Sequence, residues 1–358
     1  MKQILFALLL LASISLSAQE GFKITGRLGG TLGGNLMLVT NTTEGAIRLG
    51  QAVMVNGNFS FSGKVNEMTP VYILTDQQQP IATLMLENTE YTILAGENGI
   101  EVEGGGEAQK LWNQYDAITQ TVARESQKME QEARTAYSSG NQMKMQALQQ
   151  QFQKVAEEAG RQQAALFETY KDSPVTAFVI VSGMQQMDYA SLKLMYDGLG
   201  ETAKNCISGQ LIAQQIEQFK QVEVGSVPSD FIGLTAEGDT LSLYGVEAKL
   251  KLVDFWASWC APCRAEMPNV KKVYKKYHEQ GLEVIGVSID QKPADWLKAL
   301  QEEKLPWPNI IDPESKIAAY FLVQAIPQTF LLDENNKIIA KNLRGKELEA
   351  KIAEVLGE

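Results

Sequence analysis

The run Val253-Asp-Phe-Trp-Ala-Ser-Trp-Cys-Ala-Pro-Cys263 decides how this chain is read. Its first half belongs to an apolar stretch, Leu250 to Trp256, with the length and composition of a strand buried on both faces. Its second half places Pro262 at the start of a helix that the pattern carries to about Glu279. Downstream the alternation continues. A strand is expected at Leu282 to Ile289, a helix at Ala294 to Leu300, strands at Gln328 to Leu332 and Lys337 to Ala340, and a closing helix at Lys346 to Leu356. Upstream, a hairpin around Phe231 to Leu243 follows the linker-like Val224-Gly-Ser-Val-Pro228. Residues 224–358 are therefore expected to form an α/β domain, a central sheet with helices on both faces.

The preceding chain reads differently. Residues 22–103 carry short alternating or apolar runs at Phe22, Leu36, Asn58, Val71 and Tyr91, separated by Gly, Asn and Thr, which predicts a small β-rich domain. It holds no Cys or His, and no chemistry is assigned to it. After Gly104-Gly105-Gly106 the period changes to that of helices. Leu111, Tyr115, Ile118, Val122 and Met129, then Leu148, Phe152, Val155, Ala159 and Leu166, predict a helical hairpin, and further helices complete a region at 107–222. Their apolar stripes are read as packing the helices on each other.

With 358 residues and 44% hydrophobic content the chain is long and apolar enough for several folded domains, and its net charge of -11 repels phosphate backbones. Nucleic acid is excluded as a partner. Residues 1–18 read as a signal peptide: Met-Lys-Gln, an apolar run from Ile4 to Leu11, then small residues to Ala18. This predicts export to the periplasm or cell envelope, an uncleaved N-terminal anchor being the alternative.

The chain has three Cys. Cys206 stands alone and is read as a small buried residue on a helix. Cys260 and Cys263 fall where a strand ends and a helix begins. A thiol there meets the positive end of the helix dipole and unpaired backbone N–H groups, which favour thiolate. Cys260 is thus the candidate nucleophile. Cys263, one turn on, is close enough for a disulfide and is expected to be more buried, a resolving thiol. A pair at this spacing can also be half of a zinc site, but the chain offers one His, His278, and one distant Cys as further ligands. No metal and no cofactor are expected, and thiol exchange remains.

The segment from Val253 to Cys263 resembles the thioredoxin superfamily, and the resemblance runs from about Val224 to the C-terminus. Within it the continuation Cys-Arg-Ala-Glu-Met-Pro268, and an extra helix and strand at about Pro293 to Asp312, are similar to the secreted, TlpA-like reductases related to cytochrome c maturation. The resemblance implies a thioredoxin-like sheet and residue roles. Asp254 matches the family's buried acid, a proton acceptor for Cys263 whose pKa desolvation would raise. Glu266 matches an acid one turn beyond Cys263 that tunes both thiols; an ordinary helix Glu is the plain alternative. Pro327 matches the cis-proline facing the disulfide, with Ile326 presenting backbone to an extended substrate. Trp259 matches an aromatic lining the approach to the sulfur, and Pro262 is a further substrate-binding candidate. The sequence departs from thioredoxin in its Ala-Pro dipeptide and in Gly286, where thioredoxin keeps a lysine.

These readings predict an exported thiol-disulfide oxidoreductase that reduces disulfide-containing proteins, supplied with electrons by a membrane thiol relay. The same dithiol run in the opposite direction gives an oxidase or isomerase. A peroxidase fits less well, because Phe255 to Cys260 lacks the expected proline. An envelope binding module with a retained thioredoxin-like scaffold is a reading from a different class.

Overall fold

The computed structural model describes residues 21–29, 33–96 and 99–357, so the signal segment expected at 1–18 lies outside the described residues. The chain divides into two compact units, Met1–Gln214 and Gln215–Glu358.

The first unit begins with strands β1 (Phe22–Arg27), β2 (Gly34–Thr42), β3 (Gly45–Met54), β4 (Asn58–Gly63), β5 (Thr69–Thr75), β6 (Pro80–Leu86), β7 (Glu90–Gly96) and β8 (Gly99–Gly104). They form two four-stranded sheets, ordered β4-β1-β7-β8 and β3-β2-β5-β6. Alternate residues of both, including Ile24, Leu38, Phe59, Ile73, Leu84 and Ile93, enter one shared core. Three strands were not expected. In β3 the first five residues are exposed, and the strand lacks the buried alternation that marks β1, β2 and β4; β6 and β8 follow close behind a partner strand in sequence.

Helices follow: α1 (Glu107–Ser138), α2 (Gln142–Tyr170), α3 (Pro174–Gly183), α4 (Tyr189–Gly198), α5 (Glu201–Asn205) and α6 (Ile207–Lys220). The hairpin of α1 and α2 turns at 139–141, where Asn141 accepts the backbone N–H of Lys144 and caps α2. The helix on which Cys206 was expected is broken at that residue, which is extended (φ -72°, ψ 168°) and half-buried, with Sγ 3.0 Å from the Ala203 carbonyl. Cys206 therefore sits between helices, not on one, and burial pushes its thiol pKa up.

The second unit contains β9 (Ile232–Thr235), β10 (Thr240–Ser242), β11 (Leu250–Trp256), α7 (Ala261–Tyr277), β12 (Leu282–Ser288), α8 (Pro293–Glu303), β13 (Asn309–Ile311), α9 (Lys316–Tyr320), β14 (Gln328–Asp333), β15 (Ile338–Lys341) and α10 (Gly345–Leu356). Its seven strands form one mixed sheet, β10-β9-β13-β12-β11-β14-β15. Every residue of the central strand β11 is buried, between β12 running parallel and β14 antiparallel. Its side chains alternate between faces. Val253 and Phe255 pack with Ala318 and Phe321 of the α9 region, whereas Leu250 and Leu252 pack with Val270, Tyr274 and Tyr277 of α7 and Leu348 and Ile352 of α10. Helices thus cover both faces, as expected, and each fully buried Phe or Leu contributes roughly 1.5–3 kcal/mol of transfer free energy. Two polar residues interrupt this apolar strand. Lys251 is satisfied by the Leu243 carbonyl at 3.2 Å and Asn336 Oδ1 at 2.6 Å, and burial lowers its pKa. The other is Asp254, which shares the face of Leu252 and Trp256.

Candidate active site

The site forms where β11 stops. Ala257, Ser258 and Trp259 bridge the strand to α7, and Cys260 is the N-cap of that helix (φ -83°, ψ 94°). Pro262 occupies the first helical turn, where its missing N–H costs nothing. Cys260 and Cys263 are joined as a disulfide, their Cα atoms 5.3 Å apart, and the Cys263 N–H donates to Cys260 Sγ at 3.2 Å. A sulfur that accepts a first-turn N–H is placed to be stabilised as thiolate. Both sulfurs' residues are buried, Cys260 at 4% exposure and Cys263 at 3%, so the expected difference in burial is slight.

The loop before β14 closes the site. The Ile326–Pro327 peptide is cis, Pro327 is buried, and the Ile326 carbonyl lies 3.8 Å from Cys260 Sγ. Trp259, 66% exposed, stands beside the disulfide at the surface, and Pro262 is exposed as well. Among the residues singled out from sequence, Cys260, Cys263 and Ile326 are thus brought into contact.

On β11, burial raises the pKa of Asp254 to about 7; the Glu266 charge pushes the same way and Arg344 opposes it. Glu266 accepts the Gly345 N–H at 2.6 Å and the Asn269 side-chain amide at 3.0 Å, so its hydrogen bonds tie α7 to the start of α10. Arg344 donates to the Pro327 carbonyl. Sequence reasoning missed Arg344, which sits in the connection after β15 within no motif. It missed Asn309 too. Gly286 pairs with Asp254 across the sheet, and a Cβ there would lie 2.0 Å from Asn309 Oδ1, which accepts the Trp256 indole N–H at 3.2 Å. The space that a side chain at 286 would need is filled by this buried pair. His278 is remote in role: its ring stacks on Tyr274 at 4.4 Å and its Nδ1 meets the Leu282 carbonyl.

A thioredoxin-like sheet that presents a Cys-x-x-Cys disulfide at a helix start defines a class, the thiol-disulfide oxidoreductases, and known proteins similar to this chain carry that description. Residues 224–341 match the AhpC/TSA family, and residues 22–111 match a domain of unknown function, DUF4369. The chain is 30% identical over 122 residues to the thiol-disulfide oxidoreductase ResA of Bacillus cereus, covering 34% of this chain and 70% of the relative. It is 32% identical over 117 residues to ResA of Geobacillus thermodenitrificans, covering 33% and 67%. A thioredoxin domain of a thiol-disulfide oxidoreductase from Bacteroides vulgatus shares 31% identity over 37% of this chain and 98% of that one, with a TM-score of 0.36. The chain belongs to the thioredoxin-like thiol-disulfide oxidoreductases, and is an enzyme of that kind.

Proposed function

We propose that the enzyme reduces disulfides in other proteins through a mixed disulfide on Cys260. The observation that carries the reading is the Cys260 sulfur at a helix N-cap, accepting the Cys263 N–H and facing the Ile326 carbonyl. In the reduced enzyme the Cys260 thiolate attacks one sulfur of a substrate disulfide, and the other substrate sulfur leaves as thiolate. Asp254 takes the proton of Cys263, whose thiolate then attacks Cys260 and expels the second substrate sulfur. Two electrons pass to the substrate and the enzyme becomes the disulfide seen here. An acid with a pKa near 7 suits this task, since it can both take and return a proton close to neutral pH. Glu266 raises that pKa and Arg344 lowers it, which makes the two a balance around Asp254. Trp259, Pro262, Ile326 and Pro327 form the surface on which an extended substrate segment lies.

Each turnover consumes the dithiol, so an electron supply is needed. With export by the segment at 1–18, the donor is a membrane thiol relay in the cell envelope. Among the described residues no helix is long and apolar enough to cross a membrane. Equilibration of the dithiol with redox buffers tests the direction. A potential of about -270 mV supports a reductase, and one of about -120 mV would replace it with an oxidase.

A further inference from the structure

A second buried acid lies close to the dithiol and takes no part in the proton transfers above. Asp290, 2% exposed, follows β12 and accepts three hydrogen bonds. Its Oδ1 takes the Ser258 hydroxyl at 2.6 Å, and its Oδ2 takes the Ser258 backbone N–H at 2.8 Å and the fully buried Ser288 hydroxyl at 2.7 Å. The Asp290 N–H in turn donates to Ser288 Oγ at 3.1 Å. Ser258 is the middle residue of the three that join β11 to Cys260. Either side of it the same turn is pinned by backbone bonds, from Ile289 N–H to the Trp256 carbonyl at 3.0 Å and from Cys260 N–H to the Ala257 carbonyl at 3.1 Å. A carboxylate is the group suited to this place, because three converging donors need an acceptor with no proton of its own.

We propose that Asp290 is a positioning residue for Cys260, acting through Ser258 to hold the sulfur against the Cys263 N–H. The proposal rests on the reading of Cys260 as the attacking thiol. Asp290 touches neither sulfur, so its effect is mechanical, and that distinguishes it from a charge effect. A nearby negative charge disfavours thiolate, so removing the charge alone would make Cys260 ionise at lower pH. Loosening the turn withdraws the sulfur from its N–H donor and makes Cys260 ionise at higher pH.

The test follows alkylation of the reduced full-length protein by iodoacetamide from pH 4 to 9, with Cys260, Cys263 and Cys206 resolved by peptide mass mapping. Asp254, Glu266 and Arg344, the charges around the site, are the same in every variant. Ser258→Ala should displace the Cys260 profile to higher pH and slow its reaction at pH 6 by about two- to tenfold, the worth of one lost hydrogen bond, and Asp290→Ala, which removes the acceptor of all three, should shift it the same way by at least as much. Asp290→Asn, which keeps one oxygen for the Ser258 N–H and Ser288 hydroxyl, should stay within about twofold of wild type. Wild-type profiles in folded Ser258→Ala and Asp290→Ala would overturn the proposal. So would a shift to lower pH in both Asp290 variants, which would assign Asp290 a charge role. If Asp290→Ala does not fold, Ser258→Ala decides, since it leaves the carboxylate and the core in place. A wild-type enzyme in which Cys263 reacts at lower pH than Cys260 would instead overturn the reading of Cys260 itself.

Discussion

Replacing Asp254 by Asn should change how the stability of the oxidised enzyme depends on pH. Folding moves this carboxyl from 3.8 to about 7, and three units at 1.36 kcal/mol each amount to roughly 4 kcal/mol. Because the folded-state value is raised, the stabilisation from the bound proton is present in full below pH 3.8 and is lost as pH rises through about 7. Between pH 5 and 8.5 only the part from 5 to 7 remains to be lost, roughly 3 kcal/mol. Asn cannot ionise and keeps a flat contribution. The wild-type minus Asp254→Asn difference in unfolding free energy should therefore fall by roughly 3 kcal/mol from pH 5 to 8.5, while other titrating groups cancel. Urea unfolding followed by tryptophan fluorescence reads it, since four of the five tryptophans, Trp256, Trp259, Trp296 and Trp307, lie in the second unit. A difference flat across that range, or one that grows in favour of wild type with pH, would refute a buried protonated acid.

The same variant should still form the mixed disulfide but resolve it slowly, by on the order of 10²-fold, as seen by quenched mass spectrometry of a single turnover. Glu266→Gln should lower the pH at which Asp254 ionises and Arg344→Gln should raise it, checked by introducing Asp254→Asn into each background and locating the midpoint of the resulting stability difference. Gly286→Ala should cost about 1–3 kcal/mol in urea unfolding, because its Cβ would meet Asn309 Oδ1 at 2.0 Å within a buried pair. Trp259→Ala should leave stability within about 0.5 kcal/mol and raise KM for protein disulfides, since the residue is 66% exposed.

Much of the second unit was legible because its apolar runs are pure. β11 is buried along its whole length, α7 starts at a proline in its first turn, and the downstream strands and helices fall within a few residues of their expected bounds. In the first unit β3 escaped notice because it exposes most of its length and so has no apolar period to read. The break at Cys206 has no proline to announce it. It depends on Gly209, where a Cβ would lie 2.2 Å from the Ala203 carbonyl, a contact across the break that local sequence does not reveal. In the site, Cys260, Cys263 and Asp254 are marked by their own strand-to-helix segment. Arg344, Asn309 and Asp290 act there from distant connections and strand ends, and only the folded sheet brings them alongside.

The most direct test of the account is a trap. In Cys263→Ala a mixed disulfide on Cys260 cannot be resolved, so the reduced variant, mixed with a disulfide-bonded protein, should accumulate a covalent adduct mapped to Cys260 and released by dithiothreitol. Cys260→Ala should give none. An adduct carried by Cys263 in Cys260→Ala, with none on Cys260 in Cys263→Ala, would contradict the assignment of nucleophile and resolving thiol.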